Sequence, residues 1–147
     1  MPRLSTQPWA LCLALSAALT QGLPTQAQEA KQAGISIELN AAQTREGHCL
    51  LSFLAENQME TGVDQAVFET VLFDTEGQVV QLSLFDFQAL PKARARLRQF
   101  QVQDVLCENL GRILVNGVEA CEGVDTTPEI CAANLTTSTR LNIELVG

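Results

Sequence analysis

The stretch that decides the fold is AVFETVLFDTEGQVVQLSLFDF, residues 66–87. Both of its arms are rich in β-branched and aromatic residues, which suit a pleated, half-buried surface. Between them lies Asp74-Thr75-Glu76-Gly77, a short turn ending in glycine, so the stretch reads as a β-hairpin. Working outward toward the N-terminus, GISIELN (34–40) places Ile35, Ile37 and Leu39 on one face and Ser36, Glu38 and Asn40 on the other. HCLLSFLAEN (48–57) follows a polar turn containing Gly47. Cys49, Leu51, Phe53 and Ala55 share a face there, so Cys49 is expected to point inward with the core.

Toward the C-terminus, LPKARARLRQFQV (90–102) reads as the next strand, with Pro91 at its start, where a missing N–H does least harm. Its parity is unusual: Lys92, Arg94, Arg96 and Arg98 fall in one alternating series that Phe100 and Val102 continue. A bulge near Arg98-Gln99 would bring Ala95, Leu97, Phe100 and Val102 onto one side, because an inserted residue flips the alternation. RILVNGVEA (112–120) and TRLNIELV (139–146) are further strands. Asn116-Gly117 has two readings: a tight hairpin, or a bulge within one longer strand. In CEGVDTTPEICAANLTTS (121–138), Thr127 is a plausible N-cap, Pro128 suits the first helical position, and Glu129 suits the first turn. Asn134 is expected to end that turn in a left-handed conformation. The pattern predicts an all-β, antiparallel β-sandwich with one short helical turn near the C-terminus.

The chain opens with Arg3 as its sole early charge, then an apolar run over residues 9–19, well short of the roughly 20 that a membrane span needs. Thr25-Gln26-Ala27 fits the small-residue rule for signal peptidase, with cleavage before Gln28. The expected organisation is a signal peptide over 1–27, a flexible mature N-terminus over 28–33, and a single domain over 34–147. Cys12 lies inside the apolar run without the preceding small residue of a lipoprotein acceptor site. The chain carries 9 basic and 17 acidic residues, a net charge of −8. Cleavage removes only Arg3 among these charges. Such an acidic chain is a poor nucleic-acid partner, because phosphate binding relies on Lys and Arg.

Of five cysteines, Cys49, Cys107, Cys121 and Cys131 remain after cleavage. An even number in an exported chain reads as two disulfides. Four cysteines allow three pairings. In an up-down strand order, Cys49 and the strand after Cys107 begin at the same end of the sandwich, so Cys49 is expected to pair with Cys107. Cys121 lies at the opposite end, free to join Cys131 in the helical turn, which is the expected second pair. A zinc site is disfavoured by the absence of C-x-x-C and by a single histidine.

ISIEL (35–39), LLSFLAEN (50–57), VFETVLFDTEGQVV (67–80) and LPKARARLRQF (90–100) follow the order seen in FxLYD-like, immunoglobulin-like domains of bacterial secreted proteins. CENLGRILVNGVEACEG (107–123) resembles the ending of uncharacterised proteobacterial proteins with a Tat-pathway signal. The resemblance spans residues 34–123 and implies an immunoglobulin-like fold and an exported, bacterial setting. Its motifs carry no catalytic content. One departure is that no twin arginine precedes the apolar run, so a general secretory route fits better.

Little in the chain points to catalysis. His48 and Cys49 are consecutive strand residues whose side chains point to opposite faces, outside the reach that a base needs to its nucleophile. The carboxylates sit in turns and on polar faces, which reads as solvated surface. Asp125, Glu129 and Glu122 match no calcium-loop spacing. No G-x-S-x-G, H-E-x-x-H or phosphate-cradling glycine loop occurs. The most functional-looking feature is the basic comb Lys92, Arg94, Arg96 and Arg98, which has three readings. It is a ridge for an anionic ligand or acidic envelope protein, edge protection against aggregation, or a row that pairs internally with acids on a neighbouring strand.

The reading is therefore a periplasmic or secreted, non-enzymatic β-sandwich that works by binding, with no cofactor, no metal and no membrane span after cleavage. The rivals are a small carboxylate-using periplasmic hydrolase and a structural accessory of an envelope assembly.

Overall fold

The computed structural model describes residues 33–147. The segments read as signal peptide (1–27) and flexible mature N-terminus (28–33) therefore lie outside the described residues, apart from Ala33. Among the described residues there are eight strands: β1 Ile35–Arg45, β2 His48–Asn57, β3 Val63–Asp74, β4 Val79–Leu90, β5 Arg96–Val102, β6 Leu110–Glu122, β7 Leu135–Thr139 and β8 Glu144–Val146. A 3-10 turn, Cys107–Asn109, precedes β6, and a short helix, α1 Pro128–Ala133, follows it.

The strands form two four-stranded sheets. The first has the order β5-β2-β1-β7 and the second β4-β3-β6-β8. Hairpins drive the local pairing. Glu46 and Gly47 both take positive φ (51° and 82°), the geometry of a tight I′-type turn, and set Arg45 opposite His48. In the β3–β4 turn, the Asp74 carboxylate accepts from the backbone N–H groups of Glu76 (2.9 Å) and Gln78 (2.8 Å), while Gly77 takes φ 83°. This is the hairpin expected over residues 66–87.

Inward series from both sheets meet in one core. Ile35, Ile37 and Leu39 of β1 and Cys49, Leu51, Phe53 and Ala55 of β2 are buried, with the parity the sequence implies. Phe68 of β3 and Phe85 and Phe87 of β4 face them. Phe53 lies 5.8 Å from both Phe85 and Phe87, and Phe68 meets Phe87 edge-on at 5.5 Å. Such offset and edge-to-face contacts add to what ring burial alone contributes.

Three expectations are corrected. First, the ladders are not all antiparallel: β7 runs parallel to β1, and β8 parallel to β6. Residues 139–146 do not form one strand; β7 ends at Thr139 in the first sheet, and the chain turns before β8 joins the second. Second, no bulge interrupts β5. Its register on β2 runs unbroken from Arg96 opposite Ala55 to Val102 opposite Cys49. Arg96, Arg98, Phe100 and Val102 thus share a face, and Leu97 is left 56% exposed. Third, residues 92–95 are not strand, so the comb is not one ridge: Ala93 takes φ 54°, and its N–H donates to the Asn57 carbonyl (2.7 Å).

Asn116-Gly117 resolves as an irregularity within one strand. Thr70 pairs with Val115 and Glu69 with Gly117, so Asn116 is the extra residue. At α1, Thr127 accepts from the Ile130 N–H (3.3 Å) with Pro128 at the first turn, as expected, but Asn134 ends the helix at φ −117°, not in the left-handed region. The structure joins Cys49 to Cys107 and Cys121 to Cys131, with Cα separations of 4.8 and 6.5 Å. The segment between Cys107 and Cys121 is thus held at its two ends by different disulfides.

Candidate interaction surface

The comb residues are dispersed by the loop that precedes β5. Lys92 pairs with Glu60 at 2.7 Å. Arg98 turns toward the neighbouring sheet, where its Nε donates to the Phe87 carbonyl (2.6 Å) and its Nη2 to the Ala89 carbonyl (3.1 Å). Those carbonyls flank Gln88, whose φ of 57° kinks β4. Arg98 is thereby a bridge between the edges of the two sheets. Beside it, Phe100 stacks on Phe85 with centroids 4.3 Å apart and planes 3° from parallel. Arg94 and Arg96 stay at the surface, Arg94 exposed and Arg96 half-buried.

His48 and Cys49 stay apart chemically. The His48 Nδ1 accepts from the Asp104 N–H (3.0 Å), while Cys49 is buried in its disulfide. Among the described residues, no group of three or more His, Cys, Asp or Glu side chains is placed to hold a metal ion. The concavities are open. One, about 590 Å³, is lined by Arg45, Glu46, His48, Leu50 and Gln101. Another, about 520 Å³, brings Asp74, Glu76 and Asp104 beside Val80.

The surface feature that stands out is apolar. On β4 the inner series reads Gln81, Ser83, Phe85, Phe87, while the outer series reads Val80, Leu82, Leu84, Asp86. The first half of this strand is therefore inverted, with polar side chains toward the core and aliphatic ones toward solvent. Val80, Leu82 and Leu84 are 42%, 58% and 55% exposed. The row continues across the sheet: Leu82 lies opposite Val71 of β3, Val71 opposite Leu114 of β6, and Leu114 opposite Val146 of β8. A contiguous apolar band of this kind on an outer face marks an interaction site more often than an isolated exposed leucine does. Sequence reasoning missed it. The available signal was the alternation of QVVQLSLF (78–85), in which the aliphatic series is out of phase with Phe85 and Phe87.

The rim of the band is polar and paired. Arg112 donates to Glu144 (2.7 Å) and lies over the Phe73 ring (5.9 Å), and Asn116 donates to Glu69.

These features define the class of the molecule: an all-β sandwich of two four-stranded sheets, closed by two disulfides. No family model and no curated protein matches its sequence. Among solved structures, IrmA from Escherichia coli is similar, with a TM-score of 0.58 and 16% identity, over 71% of this chain and 90% of that one. At that identity the likeness concerns the fold. Two disulfides fit an oxidising compartment. Among the described residues no helix is long and apolar enough to cross a membrane.

Proposed function

We propose that this chain is an exported, non-enzymatic interaction module of the bacterial envelope that binds a protein partner through the outer face of its second sheet. The observation that carries the reading is the in-register row Leu82–Val71–Leu114–Val146, an apolar band crossing all four strands on the side away from the core. Burying such a band releases free energy of roughly 25 cal/mol per Å² of apolar area removed from water. The disulfide-closed sandwich holds the row rigid, so binding orders little of the molecule. An exported compartment is supported by the disulfides and by the sequence pattern read over residues 1–27. The resemblance to FxLYD-like secreted domains supports the same setting.

The test is site-specific photocrosslinking in the native envelope. A photoreactive residue at position 114 or 146 is expected to give a crosslinked species with one other protein. The same residue at Leu54, exposed on the outer face of the first sheet, should not. Equal labelling from both faces, or none from positions 114 and 146, would remove the basis for this assignment.

A further inference from the structure

The edges of the two sheets are not equally protected. β7 and β8, of five and three residues, leave little backbone to pair. β5, the other edge of the first sheet, carries Arg96 and Arg98. Short edge strands and edge charges are common devices against strand-to-strand association. β4 is the long edge of the second sheet, with 12 residues. Its C-terminal half is kinked at Gln88 and capped by Arg98, which occupies the Phe87 and Ala89 carbonyls. Its N-terminal half, residues 79–85, contains no charge and no proline; a register shift at Val80 sets Val79 opposite Phe73, and residues 81–85 pair with β3 in continuous register.

We propose that two copies of this chain associate by antiparallel pairing of their β4 edges about a two-fold axis at Leu82. This goes beyond the interaction reading above and does not depend on it. Three observations select a second copy as the occupant. The uncapped segment is symmetric in character about Leu82: Val80 falls opposite Leu84, Gln81 opposite Ser83, and Leu82 opposite itself. Aliphatic side chains then meet on the outer face and polar ones on the inner face, so each cross-strand pair is matched. The ends of β4 also differ in charge. Its start lies beside Asp74, Glu76 and Asp104, which share a concavity with Val80. Its end lies beside Arg98, bonded to the Phe87 and Ala89 carbonyls, with Arg96 further along β5; the acid on that stretch of β4, Asp86, accepts from Gln65 of β3 (3.2 Å) and from the Gln88 N–H (2.7 Å). With the axis at Leu82, position 76 of one copy lies opposite position 88 of the other. The acidic start of each β4 thus meets the arginine-bearing end of its mate, a complementarity that acts twice in a two-fold pair. Finally, the row Val146–Leu114–Val71–Leu82 continues without a break into the second copy, giving one eight-stranded sheet with a doubled apolar band.

The experiment is sedimentation of the purified protein across a concentration series, with no partner added. The wild type is expected to show a reversible monomer–dimer equilibrium. Leu82→Lys sets two like charges opposite each other at the axis, and should weaken the dimer at least about tenfold with the circular dichroism spectrum unchanged. Glu76→Arg alone should also weaken it, and adding Arg96→Glu should restore it. Leu82→Cys should form a disulfide-linked dimer on oxidation, while Val146→Cys, on the same face at the other edge, should stay monomeric. A wild type that remains monomeric to millimolar concentration, or a dimer insensitive to Leu82→Lys, overturns the proposal. A monomer that still crosslinks to an envelope protein from position 146 overturns the pairing and leaves the interaction reading standing.

Discussion

Asn57 continues the inward series Cys49, Leu51, Phe53 and Ala55, and is as buried as they are. Its Nδ2 donates to the carbonyls of Thr61 and Leu90 (both 2.9 Å), and its Oδ1 accepts from the Met59 N–H (2.9 Å). One amide thereby satisfies the turn after β2 and the end of β4. Asn57→Ala leaves these buried backbone groups without partners, at about 1–3 kcal/mol for each one that water cannot reach. We expect a loss of about 3 kcal/mol in urea unfolding, with Asn57→Asp no better, because a carboxylate cannot donate to two carbonyls. A loss under about 0.5 kcal/mol, the usual range for an inconsequential surface change, would show that water replaces the amide.

The acids nearer the surface act differently. A hydrogen bond from Arg140, then one from Asn40, holds the Glu38 carboxyl below the usual glutamate range; a hydrogen bond from Lys92, reinforced by its charge, does the same for Glu60. A carboxylate whose pKa is depressed on folding contributes stability at pH values above its unfolded pKa. That contribution is lost as pH falls through the folded value. Stability should therefore decline as pH falls below about 4, and Arg140→Ala should flatten part of that decline. Thermal melts at neutral pH and through the acid range check this.

At the scale of elements, β4 and β5 are understood as a pair. Phe100 stacking on Phe85 fixes the inward parity of β5, which carries Arg98 inward too. The kink at Gln88 turns two carbonyls to meet it. Arg98→Ala should cost about 2 kcal/mol, in the range for hydrogen bonds to a charged group, and raise amide exchange at the end of β4. Arg98→Lys should rescue poorly, since one ammonium lacks the planar fork that reaches both carbonyls. Exchange rates in β4 equal to the wild type's would overturn the bridging role.

For the whole molecule, the disulfides constrain unequal lengths of chain. Cys49–Cys107 closes a separation of 58 residues and Cys121–Cys131 one of 10. On the chain-entropy account the first stabilises by about 4 kcal/mol and the second by about 3. Replacing each pair with serine should reproduce that order in denaturant unfolding; the reverse order would mean that native contacts, and not loop length, govern their contribution.

The alternation in residues 34–57, the Asp74–Gly77 turn, the Thr127-Pro128 cap and the strand order that pairs the cysteines were all legible, because each rests on local periodicity or turn chemistry. The comb was not: its alternation suggested one strand, but the φ of Ala93 and the contacts of Lys92 with Glu60 break it before Arg96. Nor was the apolar row, because Leu82, Val71, Leu114 and Val146 lie in four separate segments that only sheet pairing brings into line. By itself the sequence determined which segments extend, where they turn and which faces they bury, since those depend on neighbours a few residues apart. The tertiary structure alone decided which side chains line up across strands, which arginine bridges the sheets and which edge stays open, since those depend on register between segments far apart in the chain.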